Sequence, residues 1–393
     1  MERIFFGLSG GLAPLNRCLP AARILKQKGY EVAFSVYGAK AAEVVKDNGF
    51  IHLEDADPMQ PTQDAVKIST VFYNLDHYYA QRGFTDERFV EQWIAGRIEM
   101  VKQYKPRVVI SDQSPHTAIA AKYFNLPLMA IGQSCFHPFG EALFFEARAV
   151  PPGMRVTPIF NRVLHSLGLP PITKVEDLNL GDINLVLGVP EMDPITMDSI
   201  KYAGPILSWI PMLKKKESES SCPLILVEPG HEEDSIGVSI YEWVKRIIDA
   251  LYDQPYRVKI LLSERLPRSW RERMKPDMEL VPEFSPDIVS EAALMIHSGT
   301  HGSCMKAIVS GIPSLILPTH TEREFYARKL ASLGVGEFIL PTSYNSTDLI
   351  KTITFMLKRG YKDKACRIAE SISQRPYGGK ELMVELILLL AGD

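Results

Sequence analysis

The amino-acid sequence predicts an α/β protein made of two doubly wound domains, each with a parallel β-sheet. Short apolar runs of strand length alternate with stretches of helical periodicity, and this alternation occurs in both halves of the chain. Such a rhythm is typical of parallel strands joined by crossover helices. The 393 residues are too many for one typical core. Between the halves, residues 207–223 (LSWIPMLKKKESESSCP) are basic, acidic and serine-rich, as in a solvated linker.

The first half begins with an apolar run at residues 4–8, which predicts a buried strand. A glycine-rich loop, Ser9-Gly10-Gly11-Leu12-Ala13-Pro14, leads into a helix at residues 15–28, which Gly29 is suited to cap. Residues 55–84 are irregular and rich in polar and aromatic side chains, which is typical of a functional loop region. The other predicted strands are residues 31–36, 108–111, 126–131, 184–187 and 201–203, and the other helices are 39–48, 87–104 and 117–124.

The second half contains the most informative unit, at residues 292–335. A strand at 294–296 ends in His297-Ser298-Gly299-Thr300-His301-Gly302-Ser303, and a helix, a strand at 314–317 and a polar loop at 319–324 follow. The glycine-rich turn places backbone N–H groups at a helix N-terminus, where a phosphate is well bound. The ends of both strands fall on the edge of the sheet where open α/β folds bind ligands. The other predicted strands are 224–227, 258–262 and 279–281, and the helices are 238–251, 304–310, 325–333 and 347–358.

The composition is that of an ordinary soluble globular protein, with 46% apolar and 23% charged residues. A net charge of −3 gives no reason to expect nucleic acid or an anionic membrane as the main partner. The five scattered cysteines fit a reducing compartment, and we expect neither a signal peptide nor a membrane span, which predicts a cytoplasmic protein. We predict domains at 1–206 and 223–375, a linker at 207–222, and a terminal helix at 376–393 that can pack back on the first domain.

Spaced motif residues run through both halves of the chain. Those in the second half are Phe284-Ser285-Pro286, Ile296 to Ser303, Lys306-Ala307, Gly311-Ile312-Pro313, Pro318 and Glu322, and those in the first half are Gly10, Pro14, Ala21-Ala22, Gly29 to Val32 and Tyr202-Ala203-Gly204-Pro205. Together they resemble the motifs of nucleotide-sugar glycosyltransferases with the GT-B fold, in the superfamily of UDP-glucuronosyltransferases and macrolide or other antibiotic glycosyltransferases. In that superfamily the position of Lys306 holds a glutamate.

The resemblance implies two Rossmann-like domains that face each other across a cleft, with the donor on the C-terminal domain and the acceptor on the N-terminal one. The implied reaction moves a sugar, with inversion, from a UDP- or dTDP-sugar to a hydroxyl of a small-molecule acceptor, as in hexosyltransferases. Natural products and lipid-like compounds are the acceptors that it suggests. No metal or other cofactor is expected, because helix dipoles and polar side chains offset the charge of the diphosphate. We expect a monomer or homodimer.

The resemblance also assigns donor-side residues. Gly302 and Ser303 match diphosphate contacts, although a serine there is also an ordinary helix cap. Glu322 matches an acidic residue that holds sugar hydroxyls, and its neighbour Arg323 either favours a negatively charged sugar or is a surface arginine. The full predicted donor set is Gly230, His231, Phe284, His297, Ser298, Gly299, His301, Gly302, Ser303, Thr319, His320 and Glu322. The usual histidine before the glycines is Ser298, so either it or His297 lines the site, and His231 either approaches the diphosphate or lies in a solvated loop.

The acceptor side departs from the superfamily at one position. Gly10, Gly11 and Leu12 form the acceptor-side loop, and Gly11 stands where relatives carry the histidine or aspartate that takes the acceptor proton. Asp112, at the place of a carboxylate that orients that histidine, is our first candidate for the catalytic base or else a helix cap, and His116 and His137 are the others. Three hypotheses therefore remain: an active inverting glycosyltransferase, a catalytically silent sugar-nucleotide-binding or helper subunit, and another GT-B enzyme such as a sugar-nucleotide epimerase.

Overall fold

The computed structural model describes residues 2–54, 70–143, 150–207, 222–230, 239–262, 272, 274–340 and 344–392. The chain divides into two compact units. The first comprises Met1–Ile206 together with Tyr377–Asp393, and the second comprises Leu207–Pro376. The predicted linker lies almost wholly outside the described residues.

The first unit contains a seven-stranded parallel sheet with helices on both faces. The strand order is β3-β2-β1-β4-β5-β6-β7. Its strands are β1 (Arg3–Leu8), β2 (Glu31–Ser35), β3 (Ile51–His52), β4 (Val108–Asp112), β5 (Leu128–Gly132), β6 (Ile183–Val186) and β7 (Lys201–Tyr202). Its α-helices before the second unit are α1 (Leu12–Gln27), α2 (Ala39–Asp47), α3 (Leu75–Ala80), α4 (Glu87–Tyr104), α5 (Pro115–Tyr123) and α6 (Thr157–Ser166), with short 3₁₀ helices at Ser134–Phe136 and Val175–Asn179.

The second unit contains a six-stranded parallel sheet in the order β10-β9-β8-β11-β12-β13. Its strands are β8 (Leu224–Glu228), β9 (Arg257–Leu261), β10 (Met278–Val281), β11 (Ala292–His297), β12 (Ser314–Ile316) and β13 (Gly336–Phe338). Its described helices are α7 (Ile240–Leu251), α8 (Pro286–Glu291), α9 (His301–Val309), α10 (Thr321–Ser332), α11 (Ser346–Lys358) and α12 (Tyr361–Ser373). A last helix, α13 (Gly379–Ala391), belongs to the first unit.

The core of the first unit explains why β1 is an apolar run. Alternate side chains of a strand point to opposite faces of the sheet, so a strand covered on both sides is apolar throughout. Phe6 packs on the face covered by α1 and α13, where Leu15 and Ile387 lie in the same cluster, and Phe5 packs on the other face with Val101 of α4. The C-terminal helix α13 thus completes the core of the first unit.

Several predicted element boundaries differ from the structure. Helix α1 begins at Leu12, so Pro14 lies in its first turn, where a missing N–H is harmless because that group has no partner within the helix. Helix α10 begins at Thr321, so the predicted polar loop is partly helical and Glu322 lies in a first helical turn. The elements that were not predicted from the sequence are β3, β13, α3, α6, α8 and α12, and α3 lies within residues 55–84, which were predicted to be irregular. The two strands have two and three residues, too few to show a period.

In each sheet, one pair of adjacent strands forms the point where the strand order reverses. These pairs are β1 with β4 and β8 with β11. Ligands of open α/β sheets bind beyond the carboxyl ends of the strands at such points. In the first unit this places the loop after Leu8 next to Asp112, which pairs with Leu8 in register. In the second unit it places the loop after Glu228 next to the loop after His297, which pairs with Glu228.

Candidate active site

His297, at the end of β11, presents a buried N–H group that has no hydrogen-bond partner among the residues described. Its side chain is fully buried, and its Nδ1 accepts a hydrogen bond from the Gly299 backbone N–H at 3.1 Å. In the neutral ring the proton is therefore assigned to Nε2, for which the described residues offer no hydrogen-bond partner. Burial, followed by the positive charges of Lys306 and Arg323, lowers the pKa of His297 to about 3. The ring is thus a neutral hydrogen-bond donor at neutral pH.

The N-terminus of α9 follows directly. Thr300 is the N-cap residue, because its Oγ1 accepts a hydrogen bond from the Ser303 backbone N–H at 3.1 Å. The Ser303 hydroxyl lies 2.7 Å from the same oxygen and is buried, so the alternative of a simple cap applies to Thr300 and is wrong for Ser303. Gly302 is exposed, and a Cβ built on it would meet nothing within 4 Å. An anion can therefore approach the first turn of α9 closely at Gly302.

Ser298 and Gly299 shape the loop between β11 and α9. The Ser298 hydroxyl donates a hydrogen bond to the Pro229 carbonyl at 2.7 Å and so joins this loop to the loop after β8. Gly299 has a φ of +86°, and a Cβ there would lie 2.8 Å from the Arg323 carbonyl oxygen. Only glycine fits this position without a shift of the backbone. The Ser298 hydroxyl thus joins two loops, whereas the Nε2–H group of His297 has no partner in the described part of the chain.

Gly230 and Arg323 complete the cluster of loops. A Cβ on Gly230 would lie 3.4 Å from Thr300 Cγ2 and 3.9 Å from Arg323 Nη2, so three separate segments converge here. Arg323 is buried, and its Nη1 donates a hydrogen bond to Thr319 Oγ1 at 2.9 Å. The alternative of a surface arginine is therefore wrong. His231, the other residue predicted in this loop, lies outside the described residues.

A carboxylate and an ammonium group that the sequence analysis missed adjoin the loops. Lys306 Nζ lies 2.7 Å from Glu228 Oε1, and both side chains are largely buried. The second carboxylate oxygen of Glu228 is buried and has no hydrogen-bond partner among the described residues. Two features of the sequence could have indicated this ion pair. Lys306 replaces the glutamate of the superfamily's motif, and the acidic residue Glu228 ends the neighbouring strand.

The remaining predicted donor residues lie in different surroundings. Phe284 is buried in an apolar cluster with Met295, so the structure places its ring in the core. The ring of His301 makes an edge contact with Tyr326, with 5.1 Å between the centroids. His320 is the N-cap residue of α10, and Glu322 is half-buried in the first turn of that helix.

On the acceptor side, Asp112 is held by an arginine that the sequence analysis did not consider. Asp112 is fully buried at the end of β4. Arg17 of α1 binds it with two hydrogen bonds, from Nε to Oδ2 at 2.6 Å and from Nη2 to Oδ1. Ser114 is the N-cap residue of α5, so the capping alternative for Asp112 is wrong. A buried carboxylate in a bidentate ion pair is poorly placed to accept a proton.

The acceptor-side loop lies beside this ion pair. The Ser9 N–H donates a hydrogen bond to the Asp112 carbonyl at 3.0 Å, and the Tyr37 N–H donates to the Gly10 carbonyl at 3.3 Å. Gly11 is the N-cap residue of α1 and has no side chain to offer, and Leu12 is buried as the first residue of that helix.

Both ring nitrogens and one face of His116 contact neighbouring side chains. The ring is buried and stacks on Trp93, with 3.9 Å between the centroids and 14° between the planes. Its Nε2 lies 3.1 Å from Tyr37 Oη, and its Nδ1 lies 3.1 Å from Ser114 Oγ. Burial, and secondarily the charge of Arg97, holds the pKa of His116 well below its usual value. This histidine is therefore a poor proton acceptor at neutral pH.

His137 follows the 3₁₀ helix at Ser134–Phe136 and is also buried. Its Nδ1 accepts a hydrogen bond from the Phe139 backbone N–H at 3.2 Å, so the neutral ring carries its proton on Nε2. Burial, and secondarily Lys174, lowers the pKa of His137 to about 4. The ring is thus a weak base, and its other nitrogen, Nε2, already bears the proton.

The described part of the chain lacks two further classes of feature. No group of three or more His, Cys, Asp or Glu side chains there is arranged to hold a metal ion. None of the helices described is both long and apolar enough to cross a membrane.

Comparison with known proteins shows what this chain is similar to. Residues 277–389 match the model of the family "Erythromycin biosynthesis protein CIII-like, C-terminal domain". An uncharacterized glycosyltransferase from Methanosarcina acetivorans is 24% identical over 355 residues, which cover 86% of each chain. The solved structure of a calicheamicin glycosyltransferase superposes with a TM-score of 0.74 at 17% identity, covering 100% of this chain and 98% of the other.

A second solved structure, the glycosyltransferase VinC in complex with dTDP, superposes with a TM-score of 0.67 at 16% identity and covers 100% of both chains. The fold class predicted from the sequence is confirmed, because the chain has two parallel-sheet α/β units and the GT-B fold of these enzymes. The resemblance to nucleotide-sugar glycosyltransferases of the superfamily that includes macrolide glycosyltransferases is also confirmed. These relatives support sugar transfer as the general class of activity.

Proposed function

We propose that this protein is an inverting glycosyltransferase of the hexosyltransferase type, which moves a sugar from a UDP- or dTDP-sugar to an oxygen of a small or lipid-like acceptor. The superfamily resemblance implies that this oxygen belongs to a hydroxyl group. One observation carries the proposal. The buried His297 Nε2–H has no partner among the described residues, and His297 is the last residue of β11, directly before the loop that leads into the N-terminus of α9.

These groups suit a nucleotide diphosphate. The leaving diphosphate gains negative charge as the bond from the anomeric carbon to its oxygen breaks. A neutral N–H donor at His297, the open backbone at Gly302 and the positive end of α9 stabilise that charge. Arg323 adds a cation beside the same loops, whereas the charge of Lys306 is offset by Glu228. In this proposal the helix N-terminus, His297 and Arg323 stabilise the diphosphate, so no metal is required.

The proposed chemistry is a direct displacement. The acceptor oxygen attacks the anomeric carbon on the face opposite the diphosphate, the new C–O bond forms as the old one breaks, and the configuration inverts. Glu322 is proposed to accept hydrogen bonds from donor sugar hydroxyls, since a carboxylate suits a vicinal diol. That VinC was solved with dTDP supports a nucleoside diphosphate as the leaving group.

Binding and turnover of the donor test this function. We expect UDP or dTDP to bind in calorimetry, and we expect His297→Ala to weaken that binding by about 10-fold to 100-fold, the value of one hydrogen bond to a charged group. The matched control is His165→Ala, because His165 is an exposed histidine of α6. If none of these nucleotides or their sugars binds, or if both variants bind equally well, the donor site is wrongly assigned.

A second function has an observation in its favour. Gly11 has no side chain, and the neighbouring Asp112 is neutralised by Arg17, as expected of a silent relative that binds sugar nucleotides or assists another enzyme. The two functions differ in turnover. Slow hydrolysis of a bound nucleotide sugar, or its transfer to any acceptor, supports the active enzyme, whereas tight binding with neither reaction supports the silent relative.

A further inference from the structure

The loop after β1 and the tip of β4 contain no side chain that is ready to take a proton, among the residues that the structure describes. Gly11 has no side chain, and both carboxylate oxygens of Asp112 are bound by Arg17. Both ring nitrogens of His116 are occupied by hydroxyl groups, and its face is covered by Trp93. Of the proton acceptors predicted from the sequence, Asp112 and His116 are therefore engaged by neighbouring side chains. The third, His137, has a lowered pKa because it is buried.

This arrangement conflicts with an alcohol as the nucleophile. An alcohol holds its proton at neutral pH, and general-base assistance is worth about 100-fold to 10,000-fold when that proton must be lost in the transition state. An acid differs, because a carboxylic acid or a phosphate monoester has already lost a proton in neutral solution. The oxygen of such a group needs no base.

We propose that the acceptor of this enzyme is an acid, and that its attacking oxygen is an ionised carboxylate or phosphate monoester oxygen. This inference rests on the proposed function and names its substrate class. The bonds, electron pairs and protons of this transfer balance. A lone pair of the anionic oxygen forms the bond to the anomeric carbon, the bonding pair of the C1–O bond leaves with the nucleoside diphosphate, and no proton moves. The product is a glycosyl ester from a carboxylate, or a glycosyl phosphodiester from a phosphate monoester.

Arg17 neutralises the charge of Asp112 in this arrangement. A buried, unpaired carboxylate at Asp112 would repel an incoming anion, and the repulsion would be strong because buried charges are poorly screened. The bidentate guanidinium cancels that charge. The replacement of a base by Gly11 and the neutralisation of Asp112 by Arg17 thus both favour an anionic acceptor over a neutral one. Arg17 is a positioning residue, since it acts through Asp112.

Matched acceptor pairs test the proposal on the full-length protein. Each pair differs only in the attacking group: dodecyl phosphate with dodecanol, and decanoate with decanol. With the best-bound nucleotide sugar as donor, we expect the acid of at least one pair to be glycosylated about 100-fold faster than its alcohol. The phosphate and carboxylate arms separate the two acid classes. Donor binding and slow donor hydrolysis are measured in the same samples.

The outcomes separate this inference from the function on which it rests. Equal or faster transfer to the alcohols overturns the inference and leaves the glycosyltransferase intact. Donor binding without transfer to either acid also overturns it and favours the silent relative. Absence of donor binding defeats the proposed function itself, and the inference with it.

A set of variants examines Arg17 directly. We expect Arg17→Ala to lower kcat/KM for the acid acceptor by about 10-fold or more, because Asp112 then repels it, and we expect Arg17→Lys to restore most of the loss. Thermal unfolding followed by circular dichroism reports whether the first unit, which contains Arg17, is folded in each variant. Arg23→Ala is the matched control, since Arg23 is an exposed arginine farther along α1. If Arg17→Ala slows the acid and the alcohol to the same extent, the pair is only structural and the role assigned to Arg17 is refuted.

Discussion

Lys306 and Glu228 form a largely buried ion pair between α9 and the end of β8, with 2.7 Å between Nζ and Oε1. The pair lies at the reversal point of the second sheet, where Glu228 is in register with His297. It therefore joins the helix that follows the candidate phosphate loop to the neighbouring strand of the sheet. Loss of either partner leaves a buried charge, and this asymmetry makes the pair testable.

We expect Lys306→Met to destabilise the second unit by about 1–3 kcal/mol, because the Glu228 carboxylate then remains buried without its cation. The double variant Lys306→Met with Glu228→Gln should recover part of that loss, since both charges are then gone. Urea unfolding of the four proteins in a double-mutant cycle measures the coupling. Additive effects within about 0.3 kcal/mol would show that the pair contributes nothing as a pair.

Gly299 and Gly302 provide a matched test of the phosphate loop. We expect Gly299→Ala to lower the free energy of unfolding by about 1–3 kcal/mol, because it combines a positive φ with a Cβ that would lie 2.8 Å from a backbone oxygen. Gly302→Ala should be neutral or stabilising by up to about 1 kcal/mol, since the site is open and helical. Thermal unfolding of both variants measures these changes in stability. Equal losses in the two would contradict the loop geometry.

Removal of the N-cap of α9 is expected to reduce stability less than Gly299→Ala does. We expect Thr300→Ala to cost about 0.5–2 kcal/mol, because the Ser303 N–H loses its acceptor, and we expect Thr300→Ser to retain most of the stability. The alanine variant should also bind UDP or dTDP less tightly, because the first turn of α9 becomes less well ordered. If alanine and serine behave alike in unfolding and in nucleotide calorimetry, the hydroxyl does not cap the helix.

The lowered pKa of His297 predicts how the stability of the second unit depends on pH. Its pKa is about 3 in the folded protein against an ordinary value of 6.5, so the unfolded chain binds the extra proton between these values. Stability that is fully present above pH 6.5 is therefore lost as the pH falls towards 3, at up to about 1.4 kcal/mol for each pH unit. His297→Gln should flatten this dependence, as measured by hydrogen exchange of β11 at several pH values. His165→Gln serves as the control, and an unchanged slope in His297→Gln would show that His297 is not the group that titrates.

Much of the fold was predictable because its signals are local. A strand covered on both faces must be apolar throughout, and helical periodicity with glycine after the last turn marks the crossover helices. Helix α4 was predicted to its terminal residues, because Asp86 caps it and Lys105 ends it in a left-handed conformation before Pro106. The short strands β3 and β13 were missed, since pairing with longer neighbours defines them.

For the candidate site, the motif residues were predictable but their partners were not. The run from His297 to Ser303 indicated an anion-binding turn by its residue types and spacing alone. The sequence could not show that Thr300 rather than Ser303 caps the helix, or that Arg323 is buried, because both depend on how the chain turns after β11.

The sequence by itself determined the fold class and the absence of a side chain at Gly11, and it predicted two candidate sites at sheet edges. Only the tertiary structure decided what happens to Asp112. It lies 95 residues from Arg17 along the chain, and the parallel pairing of β1 with β4 brings its strand beside the helix that carries Arg17. Ion pairs between such distant residues are set by the topology of the sheet and leave no trace in local spacing. For that reason the sequence presents Asp112 as a candidate base, and the folded chain presents it as a neutralised charge.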